Sequence, residues 1–269
     1  MSRFSVLIPV LNGADYVGEA LASVAEQTLP DVRVVVSDNA SSDTTPDVLE
    51  KWRDRLDLRV VRQPETLPMQ AHFNALLGLA ETEYYMVLCH DDYLADPEAL
   101  ALAVEALDAD PEAVAVYCDL AYVNAKRRPL ATRRFGRSGR FDADQTGRQT
   151  LQTARNMFGI PVGVRRSALG ELRYDPTFHY AMDVDLSWSI ARSAPSLHIP
   201  RPLIANRYRD GNATWALISK AEREFVDLAR KYEVPLTGFD HAKLRARIAW
   251  VNQQKRLFGL YGRAVSWRG

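Results

Sequence analysis

Short β-branched and apolar runs alternate with segments of helical spacing through the first hundred residues, and this rhythm constrains the fold more than any other feature of the chain. Phe4 to Val10 reads as a strand, and Val17, Ala20, Leu21, Val24 and Thr28 then recur at helical spacing after the Asn12-Gly13 turn. Val32 to Ser37 is a second strand ending at Asp38, and Ser41-Ser42-Asp43 offers capping side chains for a helix running to Trp52. Leu58 to Arg62 is a third strand. Pro68 to Ala80 is helical, and Tyr84 to Cys89 is a fourth strand that stops at His90-Asp91-Asp92. Strands separated by helices predict a mostly parallel sheet covered on both faces, an α/β fold. Ligands of such sheets bind beyond the carboxyl ends of the strands, so the loops at 12–15, 38–42 and 90–92 should converge on one crevice.

The remainder is less regular. A helix is expected from Asp96-Pro97 to Ala109 and a strand from Ala113 to Tyr117, extending towards Val123. Lys126 to Arg148 holds seven Arg and one Lys against two Asp, with Gly136, Gly139 and Gly147 interspersed, and reads as a mobile basic loop. A short strand follows at Ile160 to Val164, then a helix from Asp183 to Arg192 with two acids in its first turn, as the helix dipole favours. Ser196 to Ile199 and Ile204 to Tyr208 close the sheet. From Trp215 the pattern is helical, and after His241 there are seven basic residues and no acidic one.

Composition narrows the classes. A chain of 269 residues with 47% hydrophobic and 25% charged residues is an ordinary globular protein, not a collagen or a disordered tail. Lys+Arg and Asp+Glu both total 34, so no global charge draws it to nucleic acid, and none is expected as a partner. Cys89 and Cys118 cannot form a metal cluster by themselves and suit a reducing cytosol. No stretch approaches the roughly 20 apolar residues that span a bilayer. The expected location is cytoplasmic, with the inner face of the membrane open through an amphipathic basic tail (Leu244, Ile248, Trp250 and Val251 among Lys243, Arg245, Arg247, Lys255 and Arg256). A helix docked on the catalytic domain or on a second subunit explains the same residues, so oligomerisation stays open.

Four acidic residues, at three places in the chain, carry the chemistry. Asp91-Asp92 at a strand end suits a hard divalent cation that would hold phosphate oxygens, although a simple turn explains the pair as well. Asp38 could accept a hydrogen bond from a base or ribose. Asp183 could be a general base, and a carboxylate that merely complements a helix dipole is the plainer reading.

Their order and spacing resemble the family 2 glycosyltransferases of GT-A fold over residues 4 to 214. The resemblance rests on Phe4-Ser5-Val6-Leu7-Ile8-Pro9-Val10-Leu11-Asn12-Gly13-Ala14-Asp15-Tyr16, on Val34-Val35-Val36-Ser37-Asp38-Asn39-Ala40-Ser41-Ser42-Asp43, on Phe73-Asn74, on His90-Asp91-Asp92, and on Met182-Asp183-Val184-Asp185-Leu186-Ser187-Trp188. It implies an inverting enzyme that moves a sugar from a nucleotide-diphosphate donor to a carbohydrate or lipid-linked acceptor, with Mn²⁺ or Mg²⁺ as cofactor. By the same resemblance Asp183 is the catalytic base and Asp92 the metal ligand. Pro9, Asn12, Asp15, Asp38, Asn74, Asp91 and Arg209 meet the donor nucleotide, and His90, His179, Tyr180 and Asp185 meet or support the acceptor. Residues 1–214 would be the catalytic domain, divided into a nucleotide-sugar half (1–125), the basic loop (126–149) and an acceptor half (150–214), with 215–269 a helical extension.

Two positions depart from the family pattern: Cys89 where many members carry Asp, and Arg209 where many carry a metal-completing His. A guanidinium cannot ligate a cation but can pair with diphosphate oxygens. Two rivals follow, a catalytically silent nucleotide-sugar-binding protein and a sugar nucleotidyltransferase. The second normally shows a Gly-rich basic loop after the first strand, which Leu11 to Tyr16 lacks.

Overall fold

The computed structural model describes residues 2–209, 217–250 and 253. The elements run β1 (Phe4–Val10), α1 (Val17–Ala25), β2 (Val32–Asp38), α2 (Thr45–Glu50), β3 (Asp57–Arg62), α3 (Met69–Leu77), β4 (Tyr84–Val87), β5 (Tyr93–Leu94), α4 (Ala99–Ala109) and β6 (Ala115–Asn124). They continue with β7 (Pro129–Arg133), β8 (Gly139–Phe141), α5 (Ala143–Thr153), β9 (Pro161–Arg165), α6 (Met182–Ser193), β10 (Ser196–Tyr208), α7 (Ala221–Lys231) and a last helix, α8, over 238–250.

One mixed sheet has the order β3-β2-β1-β4-β9-β6-β10-β5, with β7 on β6 and β8 on β10. The first four strands are parallel, and β9 inserts antiparallel between β4 and β6. Every residue of β1 is buried, as expected of a central strand packed on both faces. One core contains Val6, Ile8, Leu21 and Leu100, under α1 and α4. The opposite core contains Leu7, Val35, Leu76, Tyr117 and Trp188, under α3 and α6. Period-two alternation along β1 sends Val6 and Ile8 to one face and Leu7 to the other.

The parallel register places the site. Val10 is level with Asp38, so the loops that leave β1 and β2 emerge side by side. β10 runs parallel to β6 up to Tyr208 opposite Asn124, and its Ala205 lies opposite Tyr93. That pairing brings Asn206 and Arg207 beside the loop after β4.

The structure revises three expectations. The two terminal strand signals are one strand, β10, whose pairing with β6 is irregular between Ile199 and Ile204 around Pro200 and Pro202. Of the Ser41-Ser42-Asp43 run only Asp43 serves α2, its Oδ1 accepting from Thr45 N–H at 3.0 Å at the helix start, while Ser41 Oγ and Asp43 Oδ2 brace the loop after β1. The basic segment is folded, not an irregular loop, because its arginines are tied down. Arg140 pairs with Asp110 at 2.7 Å and Glu112 at 2.8 Å. Arg137 donates to the Phe158 carbonyl at 2.9 Å and lies 4.0 Å over the Phe141 ring. Counting charges overlooks such aromatic and carbonyl partners. α5 is then capped by Asp142, whose carboxylate accepts from Gln145 N–H at 2.6 Å.

The described helices after 217 join the main core. Phe225, Leu228 and Tyr232 are buried with Trp188, and the Tyr232 ring stacks on Trp188 at 4.1 Å and 8°. Val251, Lys255 and Arg256 of the expected basic tail lie outside the described residues. No helix among the described residues is long and apolar enough to cross a membrane.

Candidate active site

The loop after β1 is built by neighbours that answer its backbone. Asn12 adopts φ 50°, its N–H donates to Ser41 Oγ at 2.9 Å, and its carbonyl Oδ1 accepts from Ser42 N–H at 2.8 Å. Gly13 N–H donates to Thr45 Oγ1 at 2.9 Å, and a Cβ at Gly13 would fall 2.5 Å from His90 Cδ2 and 2.6 Å from Val10 Cγ2. Only glycine fits there. His90 is thereby packed under the loop, and burial lowers the pKa of its imidazole. Pro9 is buried in β1, whereas Asp15 is exposed in the loop after it.

Asp38 sits at the end of β2, 1% exposed. Its Oδ1 accepts from Ser41 N–H at 2.9 Å and its Oδ2 pairs with Arg62 from β3. A base that reads Asp38 therefore shares it with Arg62, a residue that motif reading missed because β3 carried no signal beyond its strand pattern.

The acid pair follows β4. Asp92 is buried, and its two oxygens accept from Arg207 N–H at 2.8 Å and Asn206 Nδ2 at 3.0 Å. Asp91 pairs with Arg209 Nε at 2.8 Å. The Arg207 guanidinium is fully buried: it donates to the Asp91 carbonyl at 2.8 Å and the Ala125 carbonyl at 2.7 Å, and pairs with Glu19. Arg207 and Arg209 also lie 4.9 and 5.0 Å from the Tyr16 ring. Burial, reinforced by the neighbouring Asp91 charge, pushes the Asp92 carboxyl well above the usual carboxylate range. Such a group is relieved by an approaching cation.

Ligand atoms of Cys89, Asp91 and Asp92 lie within 4.8 Å of one another. Burial also holds the Cys89 thiol protonated, which suits a hard cation poorly, and Arg209 already engages Asp91. Of this set Asp92 is the carboxylate that would hold a hard divalent cation such as Mg²⁺ or Mn²⁺.

Across the crevice, the first turn of α6 presents Asp183. Its Oδ2 accepts from Asn156 Nδ2 at 2.9 Å and its Oδ1 from Val184 N–H at 2.8 Å. Asp183 is exposed at the mouth of a cavity of about 290 Å³ that Asp92, Asn206, His179 and Tyr180 also line. Of the expected acceptor contacts, His179 and Tyr180 thus share one opening with Asp92, whereas His90 lies under the loop after β1 and does not line it.

Two expected contacts are corrected. Asn74 uses both ends of its amide on Tyr174, donating to that carbonyl at 2.9 Å and accepting from that N–H at 2.8 Å, so it braces a loop rather than the donor. Asp185 points away from the crevice: it is 1% exposed, pairs with Lys231 at 2.8 Å and accepts from the Tyr232 hydroxyl at 2.9 Å. It anchors α7.

Sequence reading also missed Glu224. From α7 its single oxygen Oε2 accepts the backbone N–H of His179, Tyr180 and Ala181 at 2.9, 2.7 and 3.0 Å. Ala181 is the N-cap of α6 and His179 and Tyr180 lead into it, and a carboxylate there is favoured by the helix dipole. A residue 41 positions beyond Asp183 caps the helix that holds it, and no local motif announces this.

A parallel half-sheet carrying paired carboxylates at a strand end, joined to a mixed half that brings an acidic helix start to the same crevice, defines the GT-A class of nucleotide-sugar-binding folds. The chain belongs to glycosyl transferase family 2, whose model matches residues 5–173. The poly(ribitol-phosphate) beta-N-acetylglucosaminyltransferase TarS of Staphylococcus aureus is 38% identical over 99 residues, which is 35% of this chain and 17% of TarS. The abequosyltransferase RfbV of Salmonella typhimurium is 31% identical over 112 residues, 40% of this chain and 33% of RfbV. The matched segments are thus less than two thirds of these relatives. Among solved structures, S. aureus TarS 1-349 with UDP-GlcNAc superposes with a TM-score of 0.68 at 18% identity, covering 92% of this chain and 79% of that one. The mannosyltransferase PcManGT of Pyrobaculum calidifontis, solved with GDP-Man and Mn²⁺, gives 0.63 at 21% identity, covering 95% and 73%.

Proposed function

We propose that the chain transfers a sugar, with inversion, from a nucleotide-diphosphate donor to a hydroxyl of a carbohydrate or lipid-linked acceptor in polysaccharide or glycoconjugate synthesis. The observation that carries this reading is that Asp92 and Asp183, from opposite halves of the sheet, line one cavity at the strand carboxyl ends. The relatives named for glycosyl transfer support it.

The division of labour follows from chemistry. Departure of a nucleoside diphosphate develops negative charge, which a cation on Asp92 neutralises when bound. Arg209 adds a fixed positive charge beside Asp91, and Asp91 faces the ribose. Asp183 takes the acceptor proton as the hydroxyl attacks the anomeric carbon from the face opposite the leaving group. Asn156 holds one carboxylate oxygen and the α6 backbone the other, fixing the base in orientation. A silent binding protein would have no use for a base at this mouth, which favours the enzyme reading over that rival. Residues 1–214 then act as the catalytic unit, with α7 as its brace.

Thermal shift with UDP, GDP, dTDP and CMP, each with and without Mn²⁺, tests the donor site on the native protein and on Asp92→Ala. Selective binding to the folded state raises its stability. A metal-dependent rise with one nucleotide, lost in the variant, is expected; no shift with any nucleotide, followed by no heat of binding at millimolar ligand, overturns the reading.

A further inference from the structure

The cavity below Asp183 has a wall chemistry that the transfer step does not require. Tyr85, Val87 and Cys89 alternate onto one face of β4 and its exit, and Met69, Phe73 and Leu77 of α3 close the opposite side. Within these walls stand two phenol groups. Tyr85 is 2% exposed and Tyr174 is 8% exposed, and both line the cavity. Neither hydroxyl has a hydrogen-bond partner among the described residues, and neither is sealed within the protein, so each is open to a ligand from the cavity. Burial pushes both phenols up, so they stand as neutral O–H donors.

Tyr174 is also held on purpose. The amide of Asn74 clamps its backbone in both directions, and the Phe73 ring meets it edge to face at 5.2 Å. Its phenol lies within electrostatic reach of Asp183, Cys89 and Tyr85. With its backbone clamped and its ring packed, Tyr174 presents a fixed hydroxyl to the cavity that Asp183 also lines.

At about 290 Å³ the space is at the small end of ligand pockets, roughly 300–1,000 Å³, and suits a single sugar ring rather than an oligosaccharide. Such a ring presents several hydroxyls. Two phenols can answer two of them, while the walls supplied by Met69, Phe73, Leu77, Val87, Val164 and Ile190 can answer none. A further hydroxyl driven against that wall would lose its water without replacement.

Resting on the donor reading above, we propose that Tyr85 and Tyr174 set donor specificity by hydrogen-bonding two sugar hydroxyls, and that the apolar wall selects a sugar carrying a methyl-terminated substituent. An N-acetyl group and a 6-deoxy carbon both supply that methyl, and the experiment separates them.

The nucleotide that binds the native protein is presented to it, with Mn²⁺, bearing glucose, 6-deoxyglucose or N-acetylglucosamine, and each Kd is read by calorimetry. One methyl-bearing donor is expected to bind about tenfold or more tighter than the glucose donor, in the range that one apolar group decides. Which of the two does so identifies the substituent. Tyr85→Phe and Tyr174→Phe keep ring volume and remove only the hydroxyl. Each is expected to weaken the preferred donor about three- to tenfold while leaving the Kd of the nucleotide diphosphate alone unchanged. Equal affinity for all three donors, or Phe variants that bind the preferred donor as the native protein does, overturns the proposal with the donor site intact. Failure of every nucleotide to bind overturns the donor site itself, and the proposal with it.

Discussion

Replacing Glu224 by Ala should damage the site from a distance. One carboxylate oxygen receives three backbone N–H groups at 2.7–3.0 Å at the start of α6, and Glu224 is 4% exposed. Losing a helix cap costs about 1 kcal/mol, and a hydrogen bond to a charged group contributes about 1.5–3 kcal/mol. His179 and Tyr180 are half-buried, so water can take over their N–H groups, whereas Ala181 is fully buried and its N–H is stranded. The expected loss is therefore about 3 kcal/mol, well short of three full bonds. Glu224→Gln retains a neutral acceptor and should lose about 1 kcal/mol. Urea denaturation gives both values. Because Asp183 lies two residues beyond Ala181, the Ala variant should also lower kcat without changing the Kd of the nucleotide. A loss under about 0.5 kcal/mol in Glu224→Ala, with unchanged kcat, would refute the capping argument.

Other substitutions probe separate parts of the account. Arg209→Ala should raise the donor KM several-fold by removing the positive charge beside Asp91; an unchanged KM removes Arg209 from diphosphate recognition. Gly147→Ala places a Cβ 2.0 Å from Trp188 Cζ2, so it should destabilise the fold by about 1–3 kcal/mol in chemical denaturation, and a neutral result would mean that α5 and α6 can part freely. Burial lowers the pKa of His72 and His198 in the folded state, so the fold favours their neutral forms. Their contribution is whole above the unfolded pKa of about 6.5 and is lost as pH falls below it. The melting temperature should drop between pH 7 and pH 5, and less steeply in His72→Gln; an equal drop in both proteins contradicts this source.

The nucleotide half was legible because its chemistry is local. Phe4–Val10 and Val32–Asp38 announce themselves by β-branched runs, parallel pairing aligns their ends, and Asn12, Asp38 and His90-Asp91-Asp92 follow directly. The second half resisted because its order comes from distant partners. Arg137 and Arg140 look like solvated charge until Phe141, the Phe158 carbonyl and Asp110 are brought to them. Asn74 carried a motif signal, yet its partner Tyr174 is 100 residues away, and nothing near it in the chain shows that its amide is used up. Glu224 sits in an amphipathic helix like any surface acid, and only packing of Phe225 and Tyr232 against α6 turns it inward.

The central claim is that Asp183 acts as the base for a donor held at Asp92. Slow hydrolysis of the donor needs no acceptor other than water, so release of nucleoside diphosphate by native protein and by Asp183→Asn is the most direct measurement. The account predicts a fall of about 10²- to 10⁴-fold with the donor Kd unchanged, the span of a lost general base. Release at the native rate by Asp183→Asn would contradict it.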